Sequence, residues 1–143
     1  MTALERYGEF FAGMQPADLD RLDTVFVDNA RFRDPFNDVE GVAAIRAVFE
    51  HMYENCAEAR FEVLESVGGD DVGYLRWRFH FRLKRDKAAR RPVDGVSRVV
   101  LAEDGRVREH IDYWDAAGEL YEQFPVIGGL MRWLRSRLAV ASG

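Results

Sequence analysis

Residues 75–84 read Leu75-Arg76-Trp77-Arg78-Phe79-His80-Phe81-Arg82-Leu83-Lys84, an unbroken alternation of apolar with basic or imidazole side chains. A period of two puts every apolar member on one side of an extended chain and every polar member on the other. The stretch is therefore a β-strand with one buried and one wet face. Upstream, residues 60–67 form a strand that joins it through the hairpin turn Gly68-Gly69-Asp70-Asp71. Downstream, a polar loop at 85–91 leads into 93–103 and 106–115, a second hairpin about Glu103-Asp104-Gly105. Strands that follow one another in this way build an antiparallel sheet.

Before the sheet the spacing is helical. Leu4, Tyr7, Phe10 and Phe11 line one side of a helix over residues 2–12. Pro16 opens a second short helix whose stripe is Leu19, Leu22, Val25 and Phe26. A short strand at 30–33 ends where Pro35 pushes Asp34 into an extended conformation. Residues 41–56 are a third helix, with Val42, Ile45, Val48, Phe49 and Met52 on one side. Helices followed by consecutive strands make an α+β fold, an antiparallel sheet with helices on one face. The division expected is a domain over residues 1–116 and a helical extension over 117–143 packed on it.

Composition narrows the function. The chain has 143 residues, 48% hydrophobic and 13% aromatic, enough apolar material for one cored domain. Its net charge of −5 conceals a split: residues 1–75 carry −10 and residues 76–143 carry +5. The alternation at 75–84 assigns much of that basic excess to the outer sheet face, and no nucleic-acid motif accompanies it. One cysteine, Cys56, excludes a disulfide framework or a Cys-rich zinc site. His51, His80 and His110 lack metal-ligand spacing, and no glycine-rich nucleotide loop is present, so neither metal nor cofactor is expected. Glu5, Arg6 and Glu9 stand where a signal peptide would keep its apolar core, so a cytoplasmic location is expected. In the tail, Ile127, Leu130, Met131, Leu134 and Leu138 form a stripe with Arg132, Arg135 and Ser136 opposite. That stripe serves for packing on the domain, covering a pocket mouth, meeting a second subunit or lying on a membrane surface; amphipathicity does not separate these.

Three local signals carry a resemblance: Asp34-Pro35 followed by Gly41-Val42-Ala43-Ala44-Ile45-Arg46, the turn Asp104-Gly105-Arg106-Val107, and the closing His110-Ile111-Asp112-Tyr113-Trp114-Asp115. With the order of elements from Tyr7 to Asp115, they resemble the nuclear transport factor 2-like superfamily and its SnoaL-like group. That superfamily includes ketosteroid isomerases, polyketide cyclases, limonene-epoxide hydrolases and scytalone dehydratases. The resemblance implies a curved antiparallel (mixed) sheet wrapped around the N-terminal helices as a cone with an apolar pocket. It places Asp34 where the isomerases keep a catalytic carboxylate, and Tyr7 where they keep an oxyanion-binding tyrosine. Four positions depart from the isomerase pattern. Ser97 stands in for a second, acidic oxyanion donor, and Phe49 for a supporting tyrosine. His110 and Asp112 replace apolar residues and resemble the acid/base sites of the cyclases and hydrolases.

A carboxylate on an apolar wall can serve as a general base next to a carbonyl, provided the developing enolate receives a hydrogen bond. The expected site is thus Asp34 or Asp112 as base, His110 as proton shuttle and Tyr7 as donor. Trp77, Phe79, Trp114, Phe49 and Ser97 line the pocket. The duller alternatives stay open: Asp34 capping its own turn, His110 and Asp112 as a structural pair, Tyr7 as core. The function expected is cofactor-independent isomerisation, cyclisation or dehydration of a small apolar carbonyl compound, by a homodimer joined through the outer sheet face. The competing reading is a non-catalytic module that binds an apolar ligand or a protein.

Overall fold

The computed structural model describes residues 1–84, 91–116 and 125–139. Helix α1 spans Ala3–Gly13, and its start is closed by a reciprocal cap. The Glu5 amide donates to Thr2 Oγ1 at 3.1 Å, and the Thr2 amide donates to the Glu5 carboxylate at 2.9 Å. Leu4, Tyr7, Gly8 and Phe11 form its buried side. Pro16–Thr24 is a 3₁₀ segment, where the sequence reading expected an ordinary helix. With Arg21 outside helical geometry, the segment coils tightly enough to bury Leu19 and Leu22 in two short turns.

Strand β1 runs over Phe26–Arg33, four residues earlier than its alternation announced, because Asp28 and Asn29 face solvent in the middle of it. The short strand β2, Asp38–Glu40, was not expected at all. It folds back on β1 after the Asp34–Asn37 turn, pairing Arg33 with Asp38. Helix α2 spans Val42–Asn55, and β3 takes over at once with Cys56–Gly68. β4 (Val72–Leu83), β5 (Val93–Leu101) and β6 (Val107–Tyr113) complete the sheet. Of the expected 85–91 loop, residues 85–90 lie outside the described residues.

The fold is α+β, with one open, curved, six-stranded sheet in the order β2-β1-β6-β5-β4-β3. All neighbours are antiparallel except β1 and β6, which pair in parallel. That single parallel pairing brings the first strand beside the last and makes the sheet mixed. Register slips in β3–β4, between Ala57 and Arg60 and again between Val63 and Glu65, bend the sheet as bulges do. The concave face packs on α1, α2 and the 3₁₀ segment around a core that includes Phe11, Phe26, Ile45, Phe49, Leu75, Trp77 and Val99.

The convex face carries the basic residues of β4 and Arg98 of β5, and acidic neighbours meet them. Arg78 pairs with Asp94 at 2.7 Å, Arg82 with Glu58 at 2.8 Å, His80 with Glu62 at 3.0 Å and Arg98 with Glu109 at 3.1 Å. Two of these pairs, Arg82 with Glu58 and His80 with Glu62, join the basic half of the chain to the acidic half across the β3–β4 pair.

Helix α3, Pro125–Leu138, carries the tail. Leu130, Leu134 and Leu138 are 54%, 39% and 83% exposed, so this part of the stripe is not covered by the described residues. The side chains of Ile127 and Met131 lie outside the description. No helix among the described residues is long and apolar enough to cross a membrane.

Candidate active site

Sheet register assembles the site. β5 and β6 set Ser97 opposite Asp112, and β1 and β6 set Phe32 beside His110. One continuous run of hydrogen bonds results. The Trp77 indole N–H donates to Ser97 Oγ at 2.8 Å, and Ser97 Oγ donates to Asp112 Oδ1 at 2.5 Å. His110 Nε2 lies 2.5 Å from the same Oδ1, and His110 Nδ1 lies 2.7 Å from the Tyr7 hydroxyl.

The direction of the run follows from Tyr7. Burial, and then the negative charge of Asp112, hold its phenol well above the ordinary tyrosine value of 10.0, so it keeps its proton. The described residues offer that proton no acceptor other than His110 Nδ1. Nδ1 is therefore the lone-pair nitrogen, and Nε2 carries the hydrogen that points at Asp112. Ser97 and His110 are both wholly buried, and each has its polar atoms satisfied within the run. Apolar rings close around the imidazole: Phe32 stacks on it at 4.5 Å and Phe11 tilts against it at 5.3 Å.

Gly95 makes room for this arrangement. It faces Trp77 in the β4–β5 register, and a Cβ there would stand 2.5 Å from the indole ring and 3.0 Å from Trp114 Cβ. Only a bare backbone lets the ring lie across β5 and reach Ser97.

Between α2 and the sheet lies a hollow of about 270 Å³, with Phe49, Phe61, Phe79, Asp34, Asp112 and Trp114 among the residues on its wall. A broader, more open hollow adjoins it outside the 34–38 turn and is also lined by Asp34, Asp112 and Trp114. Of the residues read from the sequence, Asp34, Asp112, Phe49, Phe79 and Trp114 line the inner hollow; Tyr7, His110, Ser97 and Trp77 do not and stand behind Asp112. Tyr7 is thus placed to act on His110, one bond removed from anything in the hollow.

Asp34 and Asp112 differ in how their oxygens are used. Asp34 Oδ1 accepts from the amides of Phe36 and Asn37, both at 2.8 Å, and from Asn37 Nδ2 at 3.1 Å. Its Oδ2 accepts from Asn37 Nδ2 at 3.2 Å. This is the turn-capping role the sequence left open. Asp112 is anchored through Oδ1 alone, and its Oδ2 accepts no hydrogen bond among the described residues, although the side chain is only 9% exposed. The Trp114 indole N–H likewise has no acceptor among them. Phe61, Val93 and Asn37 also line the hollow, and the sequence reading did not single them out. The alternation of β3 and β5 contained the signal for Phe61 and Val93; nothing in the sequence marked Asn37. Cys56, half-buried on the same wall, has its thiol pushed up by burial, an effect partly opposed by the charge of Lys84. No cluster of metal-ligating side chains occurs among the described residues.

Residues 7–110 match a family model described as a SnoaL-like domain. Among solved structures, a protein of unknown function with the nuclear transport factor 2-like fold from Exiguobacterium sp. 255-15 is 19% identical. The alignment covers 80% of this chain and 98% of that one, with a TM-score of 0.67. A Catenulispora acidiphila protein with a ketosteroid isomerase-like fold, solved in complex with trimethylamine, is 11% identical over 84% of this chain and 92% of its own, TM-score 0.70. SalBIII, an epoxide hydrolase/cyclase-like enzyme in pyran ring formation of salinomycin, is 22% identical over 79% and 90%, TM-score 0.67. At these identities the likeness is one of fold. No curated protein matches the chain.

Proposed function

Because the chain belongs to the SnoaL-like domain family, we propose that the inner hollow is a substrate site in which Asp112 acts as general base. The substrate class is a compact apolar carbonyl compound, and the reaction an isomerisation, cyclisation or dehydration. The observation that carries this reading is the unequal use of one carboxylate. Ser97 and His110 fix Oδ1, while Oδ2 has no partner on a wall that is otherwise largely apolar. A base held in one rotamer needs little rearrangement to meet a substrate C–H.

Oδ2 takes the proton next to the carbonyl, and the carbonyl oxygen, becoming an enolate, accepts from the Trp114 indole N–H. Return of the same proton to another carbon isomerises the substrate; its transfer from Asp112 to a β-hydroxyl, which leaves the enolate as water, dehydrates it. Tyr7 and His110 are positioning residues here, since Tyr7 keeps the imidazole hydrogen on Nε2 and so keeps Oδ1 occupied.

The test is solvent deuterium incorporation, followed by proton NMR, across a panel of small cyclic ketones. Exchange above the buffer rate is expected for the wild type, with a loss of about 100-fold or more in Asp112→Asn. Saturable binding of such ketones with no exchange by the wild type favours the alternative, a ligand-binding module. That alternative draws on one observation: Asp34, the second carboxylate on the wall, is already engaged by its turn.

A further inference from the structure

The charge chemistry of the inner hollow is one-sided. Seven aromatic side chains line it, among them Phe49, Phe61, Phe79 and Trp114, together with the carboxylates of Asp34 and Asp112. No Lys or Arg is among the described residues on that wall, and the one basic side chain there is the exposed imidazole of His51. Arginine and lysine side chains stand outside it. Arg33 is exposed and lines the adjoining outer hollow, and Lys84 is exposed behind Cys56. Charges in solvent are screened over about 8–10 Å at ordinary ionic strength, whereas Asp112, 9% exposed, is shielded from that screening.

Aromatic faces are the negative ends of ring quadrupoles and attract cations that carry an apolar skin. The two carboxylates add full negative charge to the same wall. We propose that this hollow recognises a compact alkylated ammonium group, so that the ligand itself carries a positive charge. The inference rests on the inner hollow being the ligand site and deepens that reading by naming the substrate class.

A chemical consequence links the two. The protein's donors Tyr7 and Ser97 are engaged on His110 and Asp112, leaving the indole N–H of Trp114 to meet an enolate. Once Asp112 has taken the proton, the enolate of a neutral ketone would carry its negative charge beside the remaining carboxylate of Asp34. A substrate with an ammonium substituent offsets that charge internally, and its methyl groups still fit the aromatic wall.

The experiment compares choline with 3,3-dimethylbutan-1-ol, which has the same shape with carbon in place of the charged nitrogen. Calorimetric titration of the full chain is expected to show choline binding about tenfold more tightly or better. Because Asp112 is shielded, most of that preference is expected to survive 0.5 M sodium chloride. Asp112→Asn and, separately, Phe79→Leu are expected to reduce it, so the result does not depend on one variant folding. Equal affinity for the pair, preference for the alcohol, or no binding of either up to about 10 mM overturns the proposal. So does a choline preference that vanishes with salt, since that marks adsorption at exposed carboxylates. Deuterium exchange reads the catalytic proposal separately: choline preference without exchange removes the base and leaves the cation site, and exchange without preference does the reverse.

Discussion

The Ser97 hydroxyl and the Asp112 carboxylate face each other across the β5–β6 pair, 2.5 Å apart, with Ser97 wholly buried. Ser97 donates there and accepts from the Trp77 indole, so one hydroxyl joins the floor of the core to the candidate base. Replacing it affects both ends. Ser97→Ala leaves the indole N–H without an acceptor and frees Asp112 on one side. Urea unfolding is expected to show a loss of about 1–3 kcal/mol, and deuterium exchange a fall in rate with little change in apparent affinity. A stability loss with an unchanged exchange rate separates Ser97 from catalysis.

Tyr7→Phe removes the proton that decides the His110 tautomer. Nitrogen-15 NMR of the wild type is expected to show His110 protonated on Nε2; in the variant Nδ1 loses its donor and the tautomer is no longer dictated from behind. The variant also changes the alkaline limb of stability. The Tyr7 phenol titrates well above 10.0 in the folded chain, so above that pH the unfolded state loses this proton first. Stability from this group is complete below pH 10 and declines as pH rises toward the folded value. Tyr7→Phe is expected to flatten that decline, read as the midpoint of urea unfolding between pH 9 and 11.

Gly95→Ala puts a methyl 2.5 Å from the Trp77 ring, where the backbone on one side and Trp114 on the other give it no escape. Either Trp77 leaves Ser97 or β5 shifts. A cost of about 1–3 kcal/mol is expected, with a change in tryptophan fluorescence that Gly69→Ala, at a turn position with nothing near its Cβ, does not produce.

Asp34→Ala deprives the Phe36 and Asn37 amides of their acceptor and is expected to cost about 1–3 kcal/mol. Asp34→Asn keeps an acceptor oxygen and is expected to cost less. A circular dichroism melt of the two variants beside the wild type measures the difference; equal losses show that the charge, and not the turn, is what the fold needs.

The candidate site was legible in part. The alternation of His110, Asp112 and Trp114 along β6 and the residue just past it named three members, because alternate residues of an extended chain share a face. Asp34 was legible as a residue but not as a turn cap, since the same Asp-Pro signal serves a cap and a pocket carboxylate equally. The partnership of Ser97 with Asp112 and Trp77 was not legible, although both neighbours had been noted. It depends on the β4–β5–β6 register and on Gly95, which periodicity does not report.

The sequence by itself determined most of the helices and strands and their order, though not the short strand β2. A run such as 75–84 has only one way to hide its apolar side, and Pro35, Gly68 and Gly105 leave few places for the chain to turn. Only the tertiary structure decided that β1 lies beside β6 and that Tyr7 acts on His110 across 103 residues. It also decided which carboxylate retained a free oxygen. Local patterns act over a few residues, whereas these choices depend on how a bent sheet brings distant side chains within hydrogen-bond reach.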